Sequence, residues 1–334
     1  MQPRRRRRDR PSQATPLPLL LGLLLPLRGL LLPITQAFTP RISAVVTGGN
    51  RGLGLATADL LAEVGYRVIL TARNEEEGRA CAIDIQRRHG PDRCEFVPLD
   101  VSQPESIEAL MAHLKQDEKL REGVPHLWIN NAGMCVRDED DAAAREGSGG
   151  REGVYRRTLE VNAWGPVALM EACLPGMQKR GFGCIINISS GDGELAYLHS
   201  VAAKRLRRMG SMGELRRYAD RVASKQQQGL WPRGGGLAPV SWPAYCFSKA
   251  VLNTATRLMH AQTQEAAAEA GRNGRRLRVL ALCPGDVATR MCDEHAVEEA
   301  VLPREAALDV VWAALCPNEC PVGFFYRHRR VIPW

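Results

Sequence analysis

Short apolar runs alternate along this chain with longer segments in which apolar residues recur every three or four positions. The short runs are rich in β-branched residues, which favours strands, and the longer segments have the period of amphipathic helices. The pattern predicts strands at residues 41–47, 66–72, 95–99, 126–129, 184–188, 277–282 and 323–327. It predicts helices at residues 53–64, 75–89, 154–179 and 244–270, and another that starts near residue 102.

Alternating strands and helices of this kind predict an α/β fold in which a parallel sheet is covered by helices on both faces. We expect a doubly wound, Rossmann-type sheet of seven parallel strands, formed by one domain over residues 38–334. Sheets of this class bind ligands at the carboxyl ends of their strands. The residues that follow each strand are therefore the first candidates for a functional site.

Two stretches interrupt the alternation. Residues 138–152 are charged and rich in glycine, which indicates a solvated loop. Residues 193–241 are much longer than an ordinary connection between two elements. They contain a helical pattern at 202–223 and the run Gly234-Gly235-Gly236. We therefore expect a helical insertion over about residues 194–240.

The positive charge of the chain is concentrated at its start. The formal net charge is +8, and residues 1–37 contribute +6 of it, from seven arginines and one aspartate. The rest of the chain is nearly neutral, so its charge does not indicate nucleic-acid binding. A basic arm that binds nucleic acid is an alternative for the first residues alone.

The first residues have the organisation of a targeting leader. Residues 4–10 are charged, residues 17–25 are mostly leucine, and Thr35-Gln36-Ala37 ends in a small residue that suits cleavage. This pattern predicts entry into the secretory pathway, with an uncleaved signal anchor as the alternative; Arg28 and several prolines argue against a clean membrane span. The junction before Phe38 also resembles the bipartite leaders of secondary plastids in algae.

The ten cysteines form no Cys-x-x-Cys pair, and most lie inside apolar runs, which is typical of buried free thiols. Cys316 and Cys320 are close enough in sequence to pair, with two free thiols as the alternative. The seven histidines lack the spacing of metal ligands, so we expect no metal site.

A glycine-rich segment follows the first predicted strand and opens the first predicted helix. It reads Thr47-Gly48-Gly49-Asn50-Arg51-Gly52-Leu53-Gly54. Glycines at such a junction permit a tight turn, let the backbone approach a pyrophosphate, and let helix and strand pack closely. The spacing Gly-x-x-x-Gly-x-Gly differs from the dinucleotide fingerprint Gly-x-Gly-x-x-Gly.

A second signal lies in the helix predicted at 244–270. Tyr245 and Lys249 are four residues apart, which places both side chains on one helix face. Free tyrosine titrates near pH ~10, and a neighbouring ammonium favours the phenolate and lowers that pKa. Such a tyrosine can donate a proton to the oxygen of a carbonyl group that receives a hydride. An ordinary amphipathic helix is the alternative for this pair taken alone.

These two segments and four others, in the same order, resemble the short-chain dehydrogenase/reductase family over roughly residues 41–334. The family's glycine segment, Thr-Gly-x-x-x-Gly-x-Gly, matches residues 47–54. The other matches are Asn130-Asn131-Ala132-Gly133, Asn162 in residues 161–165, Ser189-Ser190 and Pro284-Gly285. The long segment before the tyrosine, and residues 325–334, are most similar to the monomeric carbonyl reductases and the menthone- and salutaridine-type reductases.

The resemblance implies a catalytic set of Asn162, Ser190, Tyr245 and Lys249. Tyr245 would be the general acid, and Lys249 would tune its pKa and bind the cofactor ribose. Ser190 would hydrogen-bond the carbonyl oxygen; it is preferred to Ser189 because the family uses the second serine of such a pair. Asn162 would position a water that links Lys249 to solvent.

The cofactor that this interpretation implies is NADPH. Enzymes that use NAD place an acidic residue at the end of the second strand, whereas this chain has Arg73 there, and Arg73 with Arg51 could bind a 2′-phosphate. Two surface arginines are the alternative. By resemblance, the cofactor contacts are Thr47, Gly48, Asn50, Arg51, Gly52, Leu53, Gly54, Arg73, Asp100, Val101, Asn131, Ala132, Gly133, Tyr245, Lys249, Pro284, Gly285, Val287 and Thr289.

The sequence therefore predicts NADPH-dependent reduction of a ketone, aldehyde or quinone. The alternatives are a catalytically silent NADP(H)-binding sensor or scaffold, and the same site working as an alcohol dehydrogenase. Trp164, Tyr197, Trp242 and Met291 are candidates for pocket lining, with core or lid packing as the alternative. The basic insertion should obstruct the helices through which many family members associate, which predicts a monomer.

Overall fold

The computed structural model describes residues 42–136, 150–198, 200–226, 243–271, 277–291, 300–316 and 325–332. The strands are β1 (Ser43–Thr47), β2 (Arg67–Ala72), β3 (Cys94–Pro98), β4 (Leu127–Asn130), β5 (Gly183–Ile188), β6 (Leu277–Cys283), β7 (Phe325–Arg327) and β8 (Arg330–Val331). The helices are α1 (Gly52–Glu63), α2 (Glu75–His89), α3 (Pro104–Gln116), α4 (Gly150–Leu159), α5 (Gly165–Arg180), α6 (Ser200–Arg208), α7 (Met212–Gln226), α8 (Pro243–Glu269) and α9 (Pro303–Leu315).

All the strands belong to one sheet in the order β3-β2-β1-β4-β5-β6-β7-β8. Strands β1 to β7 are parallel, which confirms the predicted doubly wound sheet, and β8 runs antiparallel to β7 as an additional edge strand. The strand order reverses between β1 and β4. Ligands of such sheets bind in the crevice at this switch point, outside the carboxyl ends of the strands.

The two faces of the sheet carry separate apolar cores. Side chains of α1, α2 and α9 pack on one face, and side chains of α3, α4, α5 and α8 pack on the other. Because both faces are covered, the central strands are almost continuously apolar, as in the buried run Ser43–Thr47 of β1. The apolar runs of the sequence therefore identify the sheet, although they do not give its strand order.

Local chemistry fixes the ends of several helices. The Asn74 side chain accepts a hydrogen bond from the Glu77 amide and so caps α2, whose first turn is acidic and whose last turn is basic. Gly90 follows with a φ of 115°. Helix α5 ends at Gly181, which has a left-handed conformation with a φ of 85°.

The helix predicted at 154–179 is interrupted, although earlier than at Gly165-Pro166, the pair at which the sequence predicts a bend. A π-helical turn, Glu160–Trp164, separates α4 from α5, and the Gly165 amide donates to the Glu160 carbonyl five residues earlier. Gly165 has no side chain, and a Cβ there would collide with the Val101 carbonyl. The predicted bend at Gly165-Pro166 is therefore a turn that precedes this pair. Such turns occur often at functional sites.

The insertion before Tyr245 contains two helices, α6 and α7, where the sequence pattern indicated one helical stretch. Their apolar residues join the core on the α8 face of the sheet. The Tyr218 ring meets the Phe247 ring edge-on at 6.3 Å, and the Arg216 guanidinium lies 4.7 Å above the Trp164 ring. The insertion thus packs on the π turn and on α8. The glycine run at 234–236 lies outside the described residues.

Within the described residues, no helix combines the length and the apolar character needed to cross a bilayer. The leader predicted at residues 1–37 lies outside the described residues, as does Cys320 of the predicted Cys316–Cys320 pair. Both stay predictions.

Candidate active site

The glycine segment turns tightly between β1 and α1 against the segment that follows β4. Gly48 has a φ of 64°, a conformation that favours glycine, and a Cβ on it would lie 2.9 Å from the Ala132 Cα. A Cβ on Gly54 would collide with the Asn131 side chain and the Gly48 carbonyl. Glycine at these positions lets three backbone segments meet at the switch point of the sheet.

Thr47 and Asn131 hold this meeting point together. The amides of Asn131 and Ala132 each donate to Thr47 Oγ1 at 3.0 Å. Asn131 Nδ2 donates to the carbonyls of Thr47 and Gly48, at 2.8 and 3.1 Å. These contacts give the two residues a structural task, which is to fix the shape of the loop.

The N-terminus of α1 is open to an anion. Arg51 is its N-cap residue, no side chain caps the first amides, and the first turn, which includes the buried Leu53, contains no acidic residue. Free amides and the helix dipole at such an end favour phosphate. A Cβ on Gly52 would lie 3.0 Å from Thr289 Cγ2, so the segment after β6 lies directly beside this helix end.

That segment brings the predicted residues Pro284, Gly285, Val287 and Thr289 to the same edge of the sheet. Gly285 has a φ of 77°, and Val287 pairs with Val301 in an isolated parallel bridge. The bridge ties the segment to the residues that precede α9. Thr289 Oγ1 accepts a hydrogen bond from the Met291 amide at 3.3 Å.

Two arginines near the ends of β1 and β2 are exposed: Arg51 within the glycine segment and Arg73 directly after β2. Arg51 and Arg73 form no ion pair within the described part of the chain. Asn50 Nδ2 donates to Glu77 Oε2 at 2.6 Å, which links the segment to the first turn of α2. Two unpaired guanidinium groups beside a helix N-terminus suit a phosphate monoester.

The segment after β3 is shaped by its own aspartate. Asp100 Oδ1 accepts hydrogen bonds from the Ser102 amide and hydroxyl at 2.9 and 2.7 Å, and the Asp100 amide donates to Ser106 Oγ at 2.9 Å. Val101 is buried beside Gly165. Both predicted residues therefore lie at the carboxyl end of β3.

Asn162 lies in the π turn and joins it to two other elements. Its Oδ1 accepts from the Met134 amide at 2.8 Å, and its Nδ2 donates to the Met134 carbonyl at 2.8 Å and to Ser248 Oγ at 3.0 Å. A Cβ on Gly133 would lie 3.3 Å from Asn162 Oδ1 and 3.6 Å from Lys249 Nζ. The predicted Asn162 and Lys249 are thus brought together beside Gly133.

Tyr245 and Lys249 are buried on one face of α8, as their spacing predicted. Lys249 Nζ lies 5.6 Å from the centre of the Tyr245 ring and donates to the Ile188 carbonyl at 2.8 Å. Burial lowers the pKa of Lys249 to about 8. Burial also raises the pKa of Tyr245 and outweighs the opposing effect of Ser190, so the expectation of a lowered tyrosine pKa is wrong for the protein alone.

Ser190 completes the group. It follows β5, and its side chain opposes the burial that raises the pKa of Tyr245, which places it beside the phenol. Ser189 is buried, and its hydroxyl has no hydrogen-bond partner in the described residues. The preference for Ser190 over Ser189 is therefore consistent with the geometry. Asn162, Ser190, Tyr245 and Lys249 converge at one place on the carboxyl edge of the sheet.

Comparison with known proteins agrees with this geometry. The sequence pattern of short chain dehydrogenases matches residues 43–202. A (+)-neomenthol dehydrogenase of Arabidopsis thaliana is 31% identical over 316 residues, which cover 88% of this chain and 98% of the relative. This chain belongs to the short-chain dehydrogenase/reductase family.

One further relative and one solved structure are similar to most of this chain. Carbonyl reductase (NADPH) 1 of Mus musculus is 28% identical over 87% of this chain and 98% of its own length. The structure of salutaridine reductase from Papaver somniferum superposes with a TM-score of 0.68 at 25% identity, over 86% of this chain and 99% of that one. The fold is thus the Rossmann-type fold of the short-chain dehydrogenase/reductases.

Sequence reasoning missed a polar group next to Ser190. Ser190 Oγ donates to Asp192 Oδ2 at 3.1 Å, and the Asp192 amide donates back to Ser190 Oγ at 3.2 Å. Cys283 Sγ accepts from the amides of Gly191 and Gly285, at 3.1 and 3.4 Å, and so links the turn after β5 to the turn after β6. An acidic residue two positions after the catalytic serine was the available signal for Asp192.

The four candidates for pocket lining have different outcomes. Trp164 is 3% exposed and belongs to the core, under the Arg216 guanidinium. Met291 is 45% exposed. The Tyr197 side chain and Trp242 lie outside the described parts of the structure. Trp164 is therefore packing, and the other three stay predictions.

Proposed function

We propose that this short-chain dehydrogenase/reductase reduces the carbonyl group of a ketone, aldehyde or quinone with NADPH. The observation that supports it best is the convergence of Ser190, Tyr245 and Lys249 in a buried site beside a glycine segment shaped for a dinucleotide. Relatives named carbonyl reductase (NADPH) and salutaridine reductase favour the direction of reduction. The relative named (+)-neomenthol dehydrogenase favours an alcohol substrate at the same site as the second candidate.

The residues present fit the cofactor. The open N-terminus of α1 would hold its pyrophosphate, and Arg51 and Arg73 its 2′-phosphate. Lys249 would bind its ribose, next to Asn162 and Gly133. When bound, NADPH supplies the hydride. The remaining cofactor contacts named from the sequence lie along the same edge and belong to this proposal.

The chain's own chemistry concerns the proton. Tyr245 donates its phenolic proton to the carbonyl oxygen as negative charge develops there, and Ser190 holds that oxygen in place. Lys249 is an ammonium below pH about 8 and favours the phenolate that Tyr245 leaves behind. Burial of Tyr245 and Lys249 excludes water from them, which strengthens their electrostatic interactions.

A steady-state assay tests the proposal. The purified chain is offered ketones, aldehydes and quinones with NADPH or NADH, and cofactor oxidation is followed by absorbance. We expect turnover with NADPH and a clear preference for it over NADH. The double substitution of Arg51→Ser and Arg73→Ser should remove most of the preference for NADPH. Each charge-assisted hydrogen bond to a phosphate contributes roughly 1.5–3 kcal/mol. Tight NADPH binding without turnover of any carbonyl would instead favour the sensor or scaffold.

We infer that the protein is a monomer. Helices α6 and α7 cover parts of α8 and of the π turn, where a partner subunit would otherwise dock. The exposed basic residues of α6 would also face their own copies across a two-fold axis. Light scattering at micromolar concentration decides this point, and a stable dimer or tetramer would contradict it.

We also infer that residues 1–37 are a leader that directs the chain into the secretory pathway or an organelle reached through it. The arginine-rich start, the leucine run and the small residue at position 37 support this inference. Sequencing the N-terminus of the mature protein tests it. A new start at Phe38 would support cleavage, whereas an intact N-terminus on a membrane-bound protein would support the signal anchor.

A further inference from the structure

One face of α8 carries a stripe of four buried polar residues. Tyr245, Lys249, Asn253 and Thr256 follow one another at spacings of four, four and three positions, which places them on the same side of a helix. The proposed reaction uses the first two. It has no use for the last two, although Asn253 is 1% and Thr256 is 2% exposed. Their burial therefore requires another explanation.

The last residue of the stripe, Thr256, is hydrogen-bonded to β5. Asn187 Nδ2 donates to Thr256 Oγ1 at 2.8 Å, and Asn187 lies three residues before Ser190. Thr256 Oγ1 in turn donates to the Leu252 carbonyl of its own helix at 2.8 Å. The bond thus connects the strand that leads to the serine with the helix that carries Tyr245.

Asn187 is itself held in place by β4. Its Oδ1 accepts from Asn130 Nδ2 at 2.8 Å, and Asn130 Oδ1 accepts from Trp128 Nε1 at 2.9 Å. Asn130 lies opposite Asn187 in the sheet register and directly precedes Asn131, which contacts the glycine segment. A buried polar chain therefore runs from β4 through β5 to α8, the three elements that carry or lead into the candidate site.

Two other side-chain hydrogen bonds attach α8 to β5 and to the turn after it. Lys249 Nζ donates to the Ile188 carbonyl at 2.8 Å, and in the proposed function the same ammonium group also binds the cofactor. Asn253 Nδ2 donates to the Gly193 carbonyl at 3.2 Å. The bond to Thr256 is shorter than this second one and involves no group that binds a ligand. It is therefore an attachment that does not compete with the cofactor.

A buried hydrogen bond fixes the position of a helix more sharply than apolar packing does. Apolar cores tolerate exchanges that conserve volume, and they lose rigidity before they lose stability. A hydrogen bond weakens steeply with angle, and a buried donor that loses its acceptor is costly. Sliding of α8 along β5 would leave Asn187 Nδ2 with only its contact to Met170 Sδ, a weak acceptor, at 3.4 Å. The pair of Asn187 and Thr256 therefore favours one placement of the helix.

We propose that Asn187 and Thr256 are positioning residues that set the placement of α8 along β5 and thereby the separation of Tyr245 from Ser190. This inference rests on the proposed function, in which the general acid and the serine must reach the same carbonyl oxygen. A misplacement of about 1 Å can lower turnover about a hundredfold. Neither positioning residue touches the carbonyl group or the cofactor, and both act through the elements that carry the catalytic pair.

The experiment compares Thr256→Val with Thr254→Val, two substitutions of the same kind on one helix. Both hydroxyls are buried, and each donates to the carbonyl four residues earlier, that of Leu252 at 2.8 Å and that of Ala250 at 2.9 Å. Among the described residues, Thr256 Oγ1 also accepts from Asn187, whereas Thr254 Oγ1 has a partner only in its own helix. The comparison therefore isolates the bond to β5 from the loss of a buried hydroxyl.

The readouts are kcat for carbonyl reduction per molecule that binds NADPH, and the dissociation constant of NADPH. We expect Thr256→Val to lower kcat about tenfold and to keep the dissociation constant within about twofold of the parent, because only the placement of the reacting groups changes. Thr254→Val should keep kcat within about twofold, and Thr256→Ser, which retains the hydroxyl, should keep at least about half of it. A change in stability alone would alter none of these values.

An unchanged kcat in Thr256→Val, however unstable the variant is, would overturn the proposal and leave Thr256 a structural residue. An equal loss in Thr254→Val, or no recovery in Thr256→Ser, would also overturn it. These three variants decide the proposal without any substitution in β5.

A double variant tests whether the two positioning residues act through their shared bond. Asn187→Leu should lower kcat by at least as much as Thr256→Val. The double variant should then be no slower than Asn187→Leu alone, because the effects of residues that share one contact do not add. Losses that multiply in the double variant would contradict the proposal.

Crystal structures of the parent and of Thr256→Val, both with NADPH, give a readout that needs no turnover. We expect the distance between the side-chain oxygens of Ser190 and Tyr245 to change by about 0.5 Å or more, the tolerance within which catalytic groups are held. An unchanged distance contradicts the proposal. Absence of carbonyl turnover by the parent chain would refute the proposed function alone, so the two failures are distinguishable.

Discussion

The two ends of the same sheet bury polar groups in opposite ways. At the amino end, Arg67 pairs with Glu95 and Asp117, and the Arg180 guanidinium donates to the carbonyls of Val124 and Pro125 at 2.6 Å each. At the carboxyl end, Lys249 is equally buried but has a described hydrogen bond only to the Ile188 carbonyl. An ammonium group can donate three hydrogen bonds, so Lys249 keeps capacity for a ligand.

This contrast separates structural from functional burial. A cation whose donors all have protein partners stabilises the fold, because removing it leaves buried acceptors without a partner. A cation buried with few partners costs stability, and the lowered pKa of Lys249, about 8, reflects that cost. The carboxyl end therefore keeps a buried cation with capacity to bind a ligand, while the amino end holds the sheet together.

The largest expected difference between the two ends is in turnover. Tyr245→Phe removes only a hydroxyl and should lower kcat by about a hundredfold or more, because general acid catalysis contributes typically 10²–10⁴-fold. Tyr66→Phe removes the same group from a buried tyrosine at the amino end of β2 and should leave kcat nearly unchanged. Single-turnover kinetics with NADPH measure both. Retention of a tenth of the parent rate by Tyr245→Phe would exclude it as the proton donor.

Substitutions at the amino end should instead have the larger effect on the free energy of unfolding. Arg67→Leu leaves Glu95 and Asp117 without their cation and should lower the free energy of unfolding by roughly 3 kcal/mol, with little effect on kcat per folded molecule. Lys179→Met breaks the exposed pair with Glu122 and should lower the free energy of unfolding far less, because water already screens this pair. Urea denaturation gives both values. Equal losses of unfolding free energy in the two variants would mean that the buried ion pairs of Arg67 contribute no more to stability than an exposed pair.

Lys249→Met should abolish turnover and yet stabilise the protein without cofactor by about 3 kcal/mol near neutral pH. The pKa of Lys249 falls to about 8 in the folded chain, from roughly 10.4 when unfolded, and each unit corresponds to about 1.4 kcal/mol. The unfolded state binds more protons between these values, so parent stability should rise from pH 8 to 10. Thermal melts across this pH range test the direction of the change. A melting temperature of the parent that rises no more than that of Lys249→Met would contradict the prediction.

The smallest effect concerns His126, which precedes β4 at the amino end. Burial, with a further contribution from Arg180, lowers the pKa of His126 to about 4. The unfolded chain protonates it near pH 6.5, so the parent should lose about 1–2 kcal/mol as pH falls from 6.5 toward 4. His126→Asn can still accept from the Ser43 amide and should lose less over that interval. If the parent and His126→Asn lose the same stability between pH 6.5 and 4, then His126 does not contribute to the acid sensitivity of the fold.

The sequence predicted those parts of the site that depend on local backbone requirements. The glycine segment, the Tyr245–Lys249 spacing and the residues that follow β4 and β5 each demand particular residue types at fixed separations. Thr47 was predicted as a cofactor contact, and the structure shows it accepting two amides from the segment after β4. A contact that spans two strands is invisible to sequence spacing.

The features that were missed depend on tertiary packing. The π turn forms where Gly165 packs against Val101, and no periodicity in the chain marks that contact. The raised pKa of Tyr245 comes from burial, which the Lys249 spacing alone could not reveal. Asp192 gained its partner because a short turn folds back onto Ser190. Sequence gives the side chains of this site, and packing decides their protonation.

The eighth strand has a consequence for solubility. An open edge of a parallel sheet offers unpaired amides and carbonyls to any extended segment of another molecule, which invites aggregation. Here β7 turns back through His328 and Arg329, whose φ angles are 48° and 60°, and the exposed pair Arg330–Val331 covers that edge. A two-residue strand with a charged side chain is a poor template for further pairing. The hairpin thus protects the β8 edge of the sheet from recruiting a second molecule.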